Sequence, residues 1–256
     1  MTRPNLPPRF ACVPFAHRAL HDVTQGRPEN SRAAIRAAID AGYGIEIDVQ
    51  LSADGAAMVF HDYHLGRLTA VQGAVRLHSA DALRSIALTG GDEGIPDLPE
   101  VLALVAGRVP ILVELKDQDG NMGTDLGPLE EATAQAISGY AGDLAVMSFN
   151  PNSVALLQKL CPEVPRGITT SAYREGDWPL GQHIRDHLRA IPDYDRVGAC
   201  FISHEVDDLD RPRVAELKKE GAIISCWTVR SASQEARARQ VADTITFEGY
   251  AAALSD

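Results

Sequence analysis

An α/β barrel of parallel strands is the fold class that this sequence predicts, and three observations carry the prediction. Short apolar runs alternate along the chain with amphipathic segments, the pattern of βα units laid on a parallel sheet. With Ala57–Phe60 set aside as part of an insertion, eight such runs remain, the number that closes a barrel. The length of 256 residues suits one barrel, and also two small domains. Together these predict a TIM (β/α)8 barrel in a single domain over residues 1–256, with a small insertion after the second barrel strand at about residues 54–95.

Taken in order, the barrel strands are expected at Cys12–Ala16, Ile45–Leu51, Pro110–Leu115, Leu144–Phe149, Arg166–Thr169, Ala199–Ile202, Ala222–Val229 and Thr244–Phe247. The first helix, Ser31–Ala41, is the best specified: Pro28 and Asn30 precede it, Ala34, Ile35, Ala38 and Ile39 form its apolar stripe, and Gly42 follows it. Further helices are expected at Leu98–Ala106, Leu129–Tyr140, Asn152–Leu160, Gln182–Ile191, Arg211–Glu220 and Ala232–Val241. Two long connections follow strands, one from Lys116 to Pro128 and one from Thr169 to Ile184 that contains Trp178 and Pro179. Barrels build their sites from such connections. Asp117, Asp119 and Asn121 in the first lack the bidentate Glu of a calcium loop, so a surface loop is expected there.

Composition narrows the function. A net charge of −11 argues against a nucleic-acid binder, which needs a basic stripe. An anionic substrate would have to be drawn in by local cations against that field. The four cysteines are widely spaced, with no C-x-x-C pair, so neither a zinc site nor a disulfide framework is indicated. No signal peptide and no apolar run long enough to span a bilayer is visible, so a cytoplasmic location without stable membrane anchoring is expected.

The chemistry centres on Gly44-Ile45-Glu46-Ile47-Asp48-Val49-Gln50-Leu51. Side chains alternate faces on a strand, so Glu46 and Asp48 share one face while Ile45, Ile47 and Val49 take the other. Two acids on one wall repel unless a cation lies between them, which points to a hard divalent metal; the other reading is a solvated face paired with Lys or Arg. His17 and His61 each end an apolar run, and in a parallel barrel such ends open on one face. Two imidazoles in one pocket suit acid–base work, while a lone strand-end His is commonly a structural hydrogen-bonder. Arg18 offers a planar fork for phosphate or carboxylate oxygens. Glu114 and Lys116 share a face at the end of a further strand: one as a metal ligand and the other on a phosphate, or the two as a structural ion pair.

These residues resemble the glycerophosphodiester phosphodiesterases. The likeness runs through His17-Arg18, Pro28-Glu29-Asn30-Ser31, Glu46-Ile47-Asp48-Val49, Asp54-Gly55, Phe60-His61-Asp62, Leu65 and Arg67. It continues through Ile95-Pro96-Asp97-Leu98-Pro99-Glu100-Val101-Leu102, Val113-Glu114-Leu115-Lys116 and Trp227-Thr228-Val229. The resemblance implies a barrel of the phosphatidylinositol-specific phospholipase superfamily. It also implies hydrolysis of a small phosphodiester to glycerol 3-phosphate and an alcohol. In that reading His17 and His61 are the acid and base, Glu46, Asp48 and Glu114 hold one divalent ion, magnesium or calcium, and Arg18 and Lys116 meet the phosphate. Glu29, Phe149 and Trp227 would lie at the substrate pocket, although Phe149 and Trp227 fit the barrel core equally well and Asn30 fits a helix cap. The chain departs from the family pattern at Ala19, where Gly is usual, at Gly66, where Asp is common, and at Thr246-Phe247-Glu248. Two other functions share this framework: a lysophospholipase D-type enzyme using the same site, and a catalytically silent barrel binding a phosphorylated ligand.

Overall fold

A computed structural model describes residues 3–254. Among them the strands are β1 (Phe15–Ala16), β2 (Gly44–Leu51), β3 (Ala57–Val59), β4 (Ile111–Leu115), β5 (Leu144–Ser148), β6 (Arg166–Thr170), β7 (Phe201–Glu205), β8 (Ile223–Val229) and β9 (Thr244–Phe247). All but β3 run parallel in the order β1-β9-β8-β7-β6-β5-β4-β2, and β1 pairs back onto β2. The sheet is therefore closed as an eight-stranded barrel. The helices are α1 (Arg9–Cys12), α2 (Arg32–Asp40), α3 (Ala80–Ser85), α4 (Leu98–Val105), α5 (Pro128–Ile137), α6 (Pro151–Leu160), α7 (Gln182–Ala190), α8 (Pro212–Lys219) and α9 (Ala232–Ala238). No helix among the described residues is long and apolar enough to cross a membrane.

Alternation along the strands sorts the side chains into two layers. Ile45, Ile47, Val49 and Val113 face outward and pack with Ala34, Ile35, Leu98 and Val101 of the surrounding helices in one large core. Inside the barrel, Phe15, Leu112, Ala145, Met147 and Phe201 form a separate apolar cluster. Neighbouring glycines make room for its two Phe rings: a Cβ on Gly44 would lie 2.8 Å from the Phe15 ring, and one on Gly167 would lie 2.3 Å from that of Phe201. Phe10 of α1 joins this cluster, with its ring centroid 5.0 Å from that of Phe15. With the interior filled from the N-terminal end, the polar groups of the same faces are left at the C-terminal mouth.

The first strand is shorter than its apolar run suggests. Residues Arg9–Cys12 form the helical turn α1, and only Phe15 and Ala16 pair in the sheet. Pro8 presets a helical φ before the turn, and Pro14 has no N–H to give to a ladder. After β2 the chain turns at Gly55 into β3, which pairs antiparallel with Val49–Leu51. The segment that follows builds its own apolar cluster from Met58, Phe60, Leu65, Val75, Leu83 and Ile95 before α4 begins at its cap, Asp97.

Candidate active site

Glu46, Asp48 and Glu114 point into the mouth of the barrel and are almost fully buried. Pairing of β2 with β4 puts Asp48 directly beside Glu114, and Glu46 lies one pleat below. Each carboxylate offers an oxygen within 4.8 Å of the others. Lys116 donates to Asp48 Oδ1 at 2.7 Å and also to Glu114. The Arg18 guanidinium stands 3.8 Å from Asp48 Oδ2, and the Arg18 backbone N–H donates to Glu46 Oε2 at 2.8 Å. Burial opposes ionisation of Asp48, but Lys116, His61 and Arg18 outweigh it and hold its carboxyl well below the usual carboxylate range. Glu46 goes the other way: burial, then the charges of Asp48 and Glu114, push its carboxyl well above that range. Glu46 meets no cationic side chain at ion-pair distance among the described residues.

Both imidazoles face the same cavity, of about 560 Å³, and each is backed by a carboxylate. His17 Nδ1 lies 2.6 Å from Glu248 Oε2, and His61 Nδ1 lies 2.7 Å from Asp62 Oδ1. With Nδ1 of each ring so engaged, Nε2 is the nitrogen left for the cavity. Burial lowers the pKa of His17, and the Glu248 contact partly offsets that. The opposite side of the cavity is aromatic. Phe149 packs at 4.8 Å on Trp178 and edge-on at 5.4 Å against Trp227, measured between ring centroids, while Met122 and Met147 complete the wall.

Residues 17–244 match the model of the glycerophosphoryl diester phosphodiesterase family. The chain belongs to that family. It is 33% identical over 168 residues to the uncharacterized protein YqiK of Bacillus subtilis (strain 168), a match covering 61% of this chain and 66% of that protein. A glycerophosphodiester phosphodiesterase of Bacillus altitudinis is 33% identical over 165 residues, covering 61% of this chain and 65% of the relative. Each match thus spans just under two thirds of the relative's length. Among solved structures, an Oleispira antarctica phosphodiesterase in complex with the product sn-glycerol-3-phosphate superposes with a TM-score of 0.74 at 23% identity, covering 92% of each chain. That likeness concerns the barrel fold.

Ala19 adopts a left-handed conformation with φ 64°, and Arg18 before it has φ 51°. Such a conformation costs a non-glycine residue about 1–2 kcal/mol. The turn is held by Ala19 N–H bonds to Ala16 and Glu46 carbonyls, and it aims the Arg18 N–H at the Glu46 carboxylate. Asn30 is not the cap of α2; Ser31 is, accepting from the Ala34 N–H. Asn30 instead donates to Asp48 Oδ2 at 3.0 Å. Glu29 is not among the side chains lining the cavity: one oxygen accepts from Arg18, and both accept from Arg67. Phe149 and Trp227 do line it.

Several residues reach the site without a sequence signal of their own. Glu248 lies 231 residues from His17 and becomes its neighbour only because β9 pairs with β1. Its carboxylate also accepts from Arg230 and stands 3.7 Å from His21. Trp178 comes from the connection after β6. Asp62 and Arg67 lay inside the resembling motifs, but nothing in their spacing showed which groups they contact.

Proposed function

We propose that the protein hydrolyses small glycerophosphodiesters to glycerol 3-phosphate and an alcohol, using His17 and His61 for proton transfer, Arg18 and Lys116 on the phosphate, and one divalent ion, magnesium or calcium. The observation that supports this reading above others is the presence of two carboxylate-backed imidazoles in one cavity with a cluster of three buried carboxylates. Three acids with only Lys116 and Arg18 at ion-pair distance among the described residues leave negative charge uncompensated, and oxygen donors of this kind suit a hard cation. Glu46, Asp48 and Glu114 are the residues that would hold it. When bound, such an ion supplies a positive charge that polarises a phosphoryl oxygen.

The side chains do the rest. A phosphodiester resists attack because its charge repels nucleophiles and its alkoxide is a poor leaving group. Arg18 and Lys116 spread that charge as donors to the phosphoryl oxygens. One imidazole takes a proton at Nε2 from the attacking oxygen, and the other gives a proton at Nε2 to the departing alcohol. Glu248 and Asp62 orient the rings and stabilise each in its protonated form. The reading takes the chain as one phosphodiesterase domain with residues 54–95 inserted, acting in the cytoplasm on a small molecule, with neither nucleic acid nor a membrane anchor.

The aromatic wall favours one variation, a lysophospholipase D-type substrate whose apolar portion lies along Phe149, Trp178 and Trp227. Hydrolysis of glycerophosphocholine, glycerophosphoethanolamine and lysophosphatidylcholine, with and without chelator, by wild type and His17→Ala separates the readings. Turnover that survives both chelator and substitution would remove the metal-and-histidine assignment. A preference for lysophosphatidylcholine would select the lipid variation.

A further inference from the structure

Arg67 ends a 3-10 turn, Leu65–Arg67, in the segment after β3, and its guanidinium engages two carboxylates at once. Nε donates to Asp62 Oδ2 at 2.6 Å and Nη2 to Asp62 Oδ1 at 2.8 Å. On the other edge, Nη1 donates to Glu29 Oε2 at 2.8 Å and Nη2 to Glu29 Oε1 at 2.7 Å. Four short bonds of this kind need the planar fork of a guanidinium, which an ammonium cannot reproduce. The turn that carries it is fixed from below, because Leu65 is fully buried in the local apolar cluster and its N–H bonds to the Gly73 carbonyl.

Each carboxylate also holds a group of the cavity. Asp62 Oδ1 meets His61 Nδ1, and Glu29 Oε1 accepts from Arg18 Nη1 at 2.8 Å. The result is an unbroken chain, His61–Asp62–Arg67–Glu29–Arg18, between a proton-transfer group that follows β3 and a phosphate-binding group that follows β1. Arg67 itself is half-exposed and is not among the side chains lining the cavity. It has no direct access to a bound phosphodiester, so any effect it has on the reaction passes through its two acids.

We propose that Arg67 is a positioning residue that sets the placement of His61 relative to Arg18, which makes the segment after β2 a working part of the site rather than an appendage. This rests on the reading of His61 and Arg18 given above. Both acids are shared between Arg67 and a cavity residue, so removing Arg67 frees both ends of the link. Asp62 then orients His61 with one partner fewer, and Glu29 is free to follow the Arg18 side chain. Displacement of reacting groups by about 1 Å is enough to cost about 100-fold in rate.

The test compares wild type, Arg67→Met, Arg67→Lys, Asp62→Asn, Glu29→Gln and the double variant Arg67→Met/Asp62→Asn on glycerophosphocholine, with His17→Ala as the check on the site itself. Arg67→Met is expected to lower kcat/KM about 100-fold with effects on both kcat and KM, while its melting temperature stays close to that of wild type. Asp62→Asn should act mainly on kcat and Glu29→Gln mainly on KM. On kcat the double variant should lose little beyond Asp62→Asn alone, because the two residues lie on one path to His61, while its KM should rise as in Arg67→Met. Arg67→Lys should recover less than a tenth of wild-type activity, and in a further variant, Arg67→Ala, guanidinium ion should partly restore activity. Arg67→Met within threefold of wild type, or kcat losses that multiply in the double variant, would overturn the proposal while leaving the site reading intact. Full activity in His17→Ala would overturn both.

Discussion

The two sides of the cavity differ in kind. The side built by β1, β2, β4 and the turn after β3 carries nearly all the charge: His17, Arg18, Glu46, Asp48, His61, Glu114 and Lys116. The side built by β5, β8 and the connection after β6 carries Met147, Phe149, Trp178 and Trp227. Strand neighbours explain the charged side, since β1, β2 and β4 are adjacent in the barrel and their ends present acids and cations at pairing distance. On the other side the aromatic rings pack on one another, with Trp227 also anchored by its indole N–H to the Ser203 carbonyl at 3.1 Å. The lesson is a division of labour within one rim. In the proposed reading, phosphate chemistry would belong to one wall and contact with the alcohol to the other.

The largest effect should come from the charged wall. If His61 transfers a proton as proposed, His61→Ala should lower kcat by at least about 100-fold on every alcohol alike, with the melting temperature little changed. Steady-state kinetics on two glycerophosphodiesters would check this, and a loss confined to one of them would break the division. Smaller and selective effects should come from the aromatic wall. Phe149→Ala and Trp178→Ala should change the ratio of kcat/KM between choline and ethanolamine substrates by about tenfold, the scale on which apolar pockets discriminate. Equal losses on both substrates would mean that the rings only support the fold.

Glu248 sharpens the comparison, because it extends the charged wall across the seam where β9 meets β1. The hydrogen bond from His17, with the His21 imidazole 3.7 Å away, holds its carboxyl well below the usual carboxylate range. A group whose folded pKa is depressed contributes stability above its unfolded pKa, about 4.3, and loses it as the pH falls toward the folded value. Glu248→Gln should therefore lower stability at pH 7 by about 2 kcal/mol, the scale of a hydrogen bond to a charged group. The gap to wild type should begin to narrow below about pH 4 and go on shrinking as the pH falls further. Chemical denaturation at pH 7, 5 and 3 measures it, and a gap that stays constant with pH would assign Glu248 a packing role instead.

The barrel strands were legible because burial on both faces makes them short apolar runs between amphipathic helices. The acids of β2 and β4 were legible for the same reason, as Glu46, Asp48 and Glu114 interrupt otherwise apolar runs. Two kinds of feature were not. The first strand was expected from Cys12 and pairs only from Phe15, because an apolar run does not reveal where prolines permit pairing to begin. Contacts between distant residues, such as Glu248 on His17 and Arg67 on Glu29 and Asp62, depend on barrel closure and on the path of an irregular segment, neither of which leaves a periodic trace. Asn30 stood at a cap position and turned out to support Asp48, a choice that local propensity cannot make between two adjacent good capping residues.

Phosphorus NMR of glycerophosphocholine incubated with the protein tests the central claim most directly. With magnesium or calcium present, the account predicts that the diester signal gives way to glycerol 3-phosphate as choline is released, and that chelator or His17→Ala stops the conversion. Appearance of phosphocholine and glycerol, or an unchanged diester under both ions, would contradict it.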